Sequence, residues 1–169
     1  MRIERVTGYP VKAGFRCQFV VEIETDTGII GLGEGGTSGR ELAMQGMLDH
    51  FATQLVGQDP LRIEHNWQQL YRGAYFEGGT ILAAVVSAVD IALWDIKGKH
   101  LGVPVWQLLG GATRDRVPCF ISPGTLSGPQ VIELAHAAVA AGWTLLRFGP
   151  GMLDSSWSAV DGAIYDPMD

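Results

Sequence analysis

Carboxylates are the side chains with which this 169-residue chain could hold a hard divalent cation, and their spacing does not gather them. Such a cation needs several oxygen donors converging on one point. Asp90 and Asp95 stand five apart in a helical stretch, which puts them on different faces. Glu22 and Glu24 share one face of a strand, yet they flank a hairpin and read as solvated. Asp154, Asp161, Asp166 and Asp169 are scattered through a segment with no hydrophobic period. No metal ligand set is expected. Cys17 and Cys119 lie far apart and outside any metal-type spacing, so they read as free thiols in a reducing cytoplasm. His50, His65 and His136 read as surface or capping residues. Gly31, Gly33 and Gly36 satisfy G-x-G-x-x-G, which in a dinucleotide fold brings backbone N–H groups against a pyrophosphate. That use is disfavoured here. The preceding strand is the second arm of a hairpin, and the nearby acid Asp59 follows the helix with no strand between. A flexible glycine-rich turn, with Thr37, Ser38 and Arg40 as its polar members, is expected instead. Tyr75 and Phe76 sit beside Gly78 and Gly79, two large rings on a hinge. They suit either core packing or a lid.

The elements that must position these residues follow from periodicity. Residues 2–13 read as a first strand. Residues 17–25 are a second, with Phe19, Val21 and Ile23 alternating with Val20, Glu22 and Glu24. Asp26-Thr27-Gly28 is a hairpin turn, and Ile29 to Leu32 returns as a third strand, giving an antiparallel meander. Glu41 to Val56 has helical spacing and ends before Gly57 and Pro60. Leu61 to Tyr71 is a second helix, with Ile63, Trp67 and Leu70 on one face. Thr80 to Gly111 organises the rest: apolar from Ile81 to Val89 except for Ser87, then amphipathic, punctuated by Gly102 and Pro104. The run is compatible with one helix of roughly 30 Å. A helix apolar on nearly every side must lie between two layers of protein. After the polar linker ATRDR, Val117–Ile121 reads as a strand, with a turn at Ser122-Pro123-Gly124. Pro129–Ala141 is a helix and Trp143–Phe148 another strand. Strand, helix and strand with short loops make one right-handed βαβ unit. Residues 150–169 carry no sustained period and read as a loosely ordered tail.

The stretch SAVDIALWDIKGKHLGVPVWQLLGG resembles the signature helix of the mandelate racemase and muconate-lactonizing branch of the enolase superfamily. The preceding YRGAYFEGGT is similar to the sugar-acid dehydratases of that branch, the mannonate and galactonate dehydratase type. The resemblance covers residues 1 to about 150. It implies an α+β capping domain over 1–112, a three-stranded antiparallel meander plus helices. The first βαβ unit of an incomplete (β/α) barrel then spans 113–150, and a tail covers 151–169. It also implies a Mg²⁺-dependent lyase that removes a proton next to a carboxylate, forming an enediolate whose charge the metal stabilises. In the family the metal carboxylates end the third, fourth and fifth barrel strands, which this chain does not reach. The chain is therefore expected to be inactive alone and to bind no Mg²⁺ itself.

The same resemblance places a base at the end of the second barrel strand, where this chain reads Leu146-Arg147-Phe148-Gly149. Gly149 can do no proton chemistry, which disfavours a two-lysine racemase mechanism. Arg147 is the catalytic candidate. An arginine is a poor base unless a neighbour assists it, and it also suits bidentate binding of a carboxylate. Ser122, at the end of the first barrel strand, matches a substrate-contacting position. Ser38 lies on the loop implied to reach over the mouth of the site, and Tyr75 lies on the implied lid; both are substrate-binding candidates. The competing functions are a racemase or cycloisomerase fragment of the same superfamily, and a non-catalytic assembly module. Two strands cannot close a barrel, so the second leaves an open edge. Self-association through that edge or through the capping domain is the expected assembly.

Bulk properties narrow the partners. A net charge of −6 opposes nucleic acid and anionic membrane surfaces. The apolar fraction of 47% suits a folded globular chain. The N-terminus MRIERVTGYP has mixed charge and no apolar core, so no signal peptide is expected. The resemblance implies an acid sugar as the partner.

Overall fold

Alternation along the second strand has its physical counterpart in burial: Phe19, Val21 and Ile23 are all fully covered on one face. The computed structural model describes residues 1–14, 16–122 and 128–148. The tail expected over 151–169, the turn at Pro123 and Gly124, and Gly149 lie outside the described residues. By its contacts the chain divides into two units, Met1–Ala112 and Thr113–Asp169.

In the first unit, β1 (Ile3–Ala13), β2 (Arg16–Thr25) and β3 (Ile30–Gly35) form an antiparallel sheet in the order β1-β2-β3. Gly8 pairs with Val21, and Val21 with Gly33. The turn into β3 is closed by Gly28 at φ +80° and by Thr25, whose hydroxyl donates to the Ile29 carbonyl at 2.9 Å. α1 (Glu41–Leu55) and α3 (Thr80–Leu101) pack on the inner face, and α2 (Ile63–Arg72) touches both. The core joins Phe19, Val21 and Ile23 to Met44, Leu48 and Leu55 of α1 and to Val85, Val89, Leu93 and Ile96 of α3. Each such side chain contributes about 1.5–3 kcal/mol when fully buried. α3 stops at Gly102, which takes φ +68°, while the Val103 N–H reaches back to the Gly98 carbonyl at 3.0 Å. That is the left-handed cap glycine supplies without strain. The short α4 (Val105–Leu108) follows.

Two expectations change. The glycine-rich stretch is not a flexible turn up to Gly36, because β3 continues through Gly35. Gly31 and Gly33 face α3, and a Cβ on either would overlap the carbonyl oxygen of Ala92 or Ala88. Glycine in a strand here marks close backbone approach. α3 is also less enclosed than expected. Ala83, Ser87 and Ile91 form an exposed stripe, with Ile91 46% exposed. The sheet, α1 and α2 cover the remaining arc of the helix.

In the second unit, α5 (Pro129–Ala140) joins residues that meet in one parallel bridge, Ile121 to Leu146. The two strands expected here reduce to that bridge. Parallel pairing is slightly weaker per residue, and a two-stranded pair is marginal on its own.

Candidate functional site

The parallel bridge sets the geometry around Arg147. Ile121 N–H donates to the Leu145 carbonyl at 3.2 Å, and Arg147 N–H donates to the Ile121 carbonyl at 2.9 Å. Side chains alternate along extended backbone, so Phe120, Ser122, Leu145 and Arg147 share one face and Ile121 and Leu146 the other. The Arg147 guanidinium carbon lies 5.5 Å from the Phe120 ring centroid, within cation–π range. Ser122 and Arg147 thus stand side by side at the C-terminal ends of the paired segments, both exposed. A guanidinium with a hydroxyl beside it can grip a carboxylate bidentately and hydrogen-bond a neighbouring oxygen.

Ser38 and Tyr75 belong to the first unit. Ser38 Oγ donates to the Cys17 carbonyl at 3.0 Å, tying the 36–40 loop to the start of β2. The Gly39 N–H donates to Glu41 Oε1 at 2.7 Å. Ser38 is exposed. Tyr75 is 93% exposed and Phe76 83% exposed, their rings edge to face at 5.0 Å. This overturns core packing for the pair. Gly78 and Gly79 both take positive φ, +91° and +89°, and no other residue type would adopt those angles cheaply. Ser122 and Arg147 each follow one partner of the Ile121–Leu146 bridge, at the ends of the two segments that the sequence reads as strands. Ser38 and Tyr75 have different partners: one bonds the Cys17 carbonyl, the other packs on Phe76.

The two acids of α3 do separate work. Asp95 Oδ2 accepts from the Leu32 N–H at 2.9 Å and from Lys99 Nζ at 2.7 Å, and Lys99 Nζ also donates to the Ile30 carbonyl at 2.7 Å. The pair caps the open edge of β3. Its i,i+4 spacing was visible in the sequence, but its reach to the strand was not. Asp90 is half-buried. Burial pushes its carboxyl above the ordinary carboxylate value, the charge of Glu64 pushes the same way, and the Trp94 indole N–H lowers it. Glu22 and Glu24 on the outer sheet face are engaged rather than merely solvated: Tyr9 Oη donates to Glu22 at 3.1 Å, and Arg5 pairs with Glu24. Among the described residues no three His, Cys, Asp or Glu side chains stand together as a metal site requires. Among them, too, no helix is long and apolar enough to cross a membrane.

Comparison with known proteins gives these features a context. Residues 12–110 match the family model "Mandelate racemase / muconate lactonizing enzyme, N-terminal domain". The chain is 42% identical over 168 residues to a D-galactonate dehydratase of Verminephrobacter eiseniae, covering 97% of this chain and 43% of that protein. It is 40% identical over 153 residues to a D-mannonate dehydratase of a Sphingomonas species, covering 88% of this chain and 38% of the relative. Among solved structures it superposes on an enolase from Pantoea ananatis with bound D-gluconate and Mg at TM-score 0.80 and 34% identity, over 86% of this chain and 36% of that one. A member of the enolase superfamily from Salmonella Typhimurium gives TM-score 0.79 and 34% identity, over 86% and 41%. The chain spans about two fifths of the length of the relatives it matches.

Proposed function

This chain belongs to the mandelate racemase / muconate lactonizing enzyme family, and on that premise we propose that it is the N-terminal part of a sugar-acid dehydratase. The parent reaction removes the proton next to the acid's carboxylate and expels a hydroxyl as water. The observation that carries this reading is the 42% identity over 168 residues to a D-galactonate dehydratase. Arg147 is the proposed catalytic residue. Its guanidinium would hold the acid's carboxylate and the negative charge that grows there when the proton leaves. Ser122 would hydrogen-bond an adjacent oxygen, and Ser38 and Tyr75 would contact the polyol chain of the sugar.

Mg²⁺ stabilises an enediolate where carboxylates hold it. The described residues do not fit the ion: Asp95 is bonded to Leu32 and Lys99, and Asp90 faces Trp94. The roles above use only the chain's own groups, and the 169-residue chain alone is proposed to be inactive. A cytoplasmic location is proposed from its two free cysteines, Cys17 and Cys119. Self-association is proposed from the exposed apolar residues of the second unit, Val117, Ile132 and Val139.

A chimera tests the reading. Residues 1–148 replace the matching part of the Verminephrobacter protein, and D-galactonate and D-mannonate are assayed for the 2-keto-3-deoxy product. Dehydration of either supports the proposal, and Arg147→Lys in the chimera should lower kcat by about a hundredfold or more. A folded chimera inert toward both acids, beside an active parent, rejects it.

A further inference from the structure

Between α2 and α3 lies a hollow of ≈ 280 Å³ lined by Ile63, Glu64, Trp67, Asp90 and Trp94. Two carboxylates and two indoles around one cavity form the chemistry that recognises a positive group. The indoles offer π faces and the acids offer counter-charge and hydrogen-bond acceptors. The carboxylates lack a cation of their own. Among the described residues neither Asp90 nor Glu64 forms an ion pair, and Glu64 accepts only from Gln68 Nε2 at 2.9 Å. Trp94 already faces one positive charge, with Lys97 Nζ 4.9 Å from its ring centroid. Burial and the neighbouring Glu64 both disfavour the charged form of Asp90, modestly because the group is only partly shielded.

We propose that this hollow is a binding site for a small organic cation bearing a guanidinium or primary ammonium group. Asp90 and Glu64 are its counter-ions, and Trp67 and Trp94 are its walls. The raised carboxyl of Asp90 accords with this, since a bound cation would restore its charged form. A divalent metal suits the hollow less well, because it contains only two oxygen-donor side chains and its remaining lining is apolar or aromatic. The site is independent of the dehydratase reading, since none of its residues is among the proposed substrate contacts.

Isothermal titration of the 169-residue chain tests it, with ethylguanidinium and n-butylammonium as probes, the neutral n-propylurea as control, and ionic strength held constant. Saturable binding of both cations, quenching of tryptophan fluorescence, and no binding of the urea are expected. Glu64→Gln and Asp90→Asn should each weaken the cations about tenfold. Glu64 is exposed, so Glu64→Gln decides the matter even where Asp90→Asn disturbs the helix. Equal binding of the urea, or unchanged affinity in folded Glu64→Gln, overturns the proposal. Binding of an arginine-containing peptide where neither small cation binds overturns it too, because the site would then serve a protein side chain.

Discussion

The two units of this chain solve the problem of covering apolar surface to different degrees. In Met1–Ala112, one face of a three-stranded sheet is covered by α1 and α3, and Phe19, Leu48, Val85 and Ile96 are essentially without solvent contact. In Thr113–Asp169, Val131 and Ala138 are buried among the described residues, while Val117 is 75% exposed and Val139 62% exposed. α5 has apolar residues enough for a core, but the Ile121–Leu146 bridge offers too little sheet to cover them. Hydrophobic sequence therefore does not become hydrophobic core until a partner layer of matching area exists. The first unit carries its own partner layer.

The sharpest way to break this contrast is to fill the space glycine leaves. Gly33→Val should destabilise the first unit by more than about 3 kcal/mol, because the new Cβ meets the Ala88 backbone carbonyl and not a side chain that can swing away. Urea unfolding followed by circular dichroism measures it, and a loss below about 1 kcal/mol, close to what surface substitutions cost, would deny the tight helix-on-strand contact. Leu93→Ala should cost about 3 kcal/mol in the same assay. Its counterpart in the second unit, Val139→Ala, should change stability by less than about 0.5 kcal/mol, since that side chain is already in water. Equal losses at Leu93 and Val139 would erase the contrast between the units. Asp95→Ala should cost about 1–2 kcal/mol by leaving the Leu32 N–H without its acceptor. Hydrogen exchange at Leu32 should accelerate, and unchanged protection there would show that α3 does not cap the β3 edge.

The smallest effect concerns Asp90. Its folded carboxyl is raised above the ordinary value of 3.8, so the folded state holds the proton more tightly than the unfolded chain. Stability from this group is fully present below pH 3.8 and is lost as pH rises through the raised folded value. Asp90→Asn should flatten that decline and leave the protein equally or slightly more stable at pH 7. The gain should be well under about 1 kcal/mol, because the group is only partly shielded from solvent. Urea midpoints from about pH 3 to about pH 8, which bracket carboxylate titration, provide the check. A steeper decline in the variant would reverse the assignment.

Much of this was legible in the chain itself. The alternation of Phe19, Val21 and Ile23 announced a strand with one dry face, and Asp26-Thr27-Gly28 announced its turn. The parallel approach of the segments that meet at Ile121 and Leu146 followed from reading strand, helix and strand in succession. Other features were hidden for a common reason. Gly33 and Gly35 looked like a loop because glycine has low intrinsic strand preference, yet they pair with Val21 and Phe19 of β2. What makes glycine necessary at Gly31 and Gly33 is the backbone of α3, more than fifty residues later. Tyr75 and Phe76 looked equally fit for core or surface, because apolar rings beside glycines satisfy both descriptions.

The order of amino acids by itself determined the meander of the first unit, the helices and the glycine that ends α3, because these depend on rotations and contacts within a few residues. It also carried the family, because a long ordered run such as Ser87 to Gly111 is a specific pattern. Tertiary structure alone decided which acid caps an edge and which lines a hollow. Asp90 and Asp95 are the same residue on the same helix. They differ only in what stands opposite them: Glu64 and Trp67 of α2 for one, the Leu32 N–H of β3 for the other. Neighbours distant in sequence set the field and the solvent around a charge, and those neighbours exist only once the chain has folded.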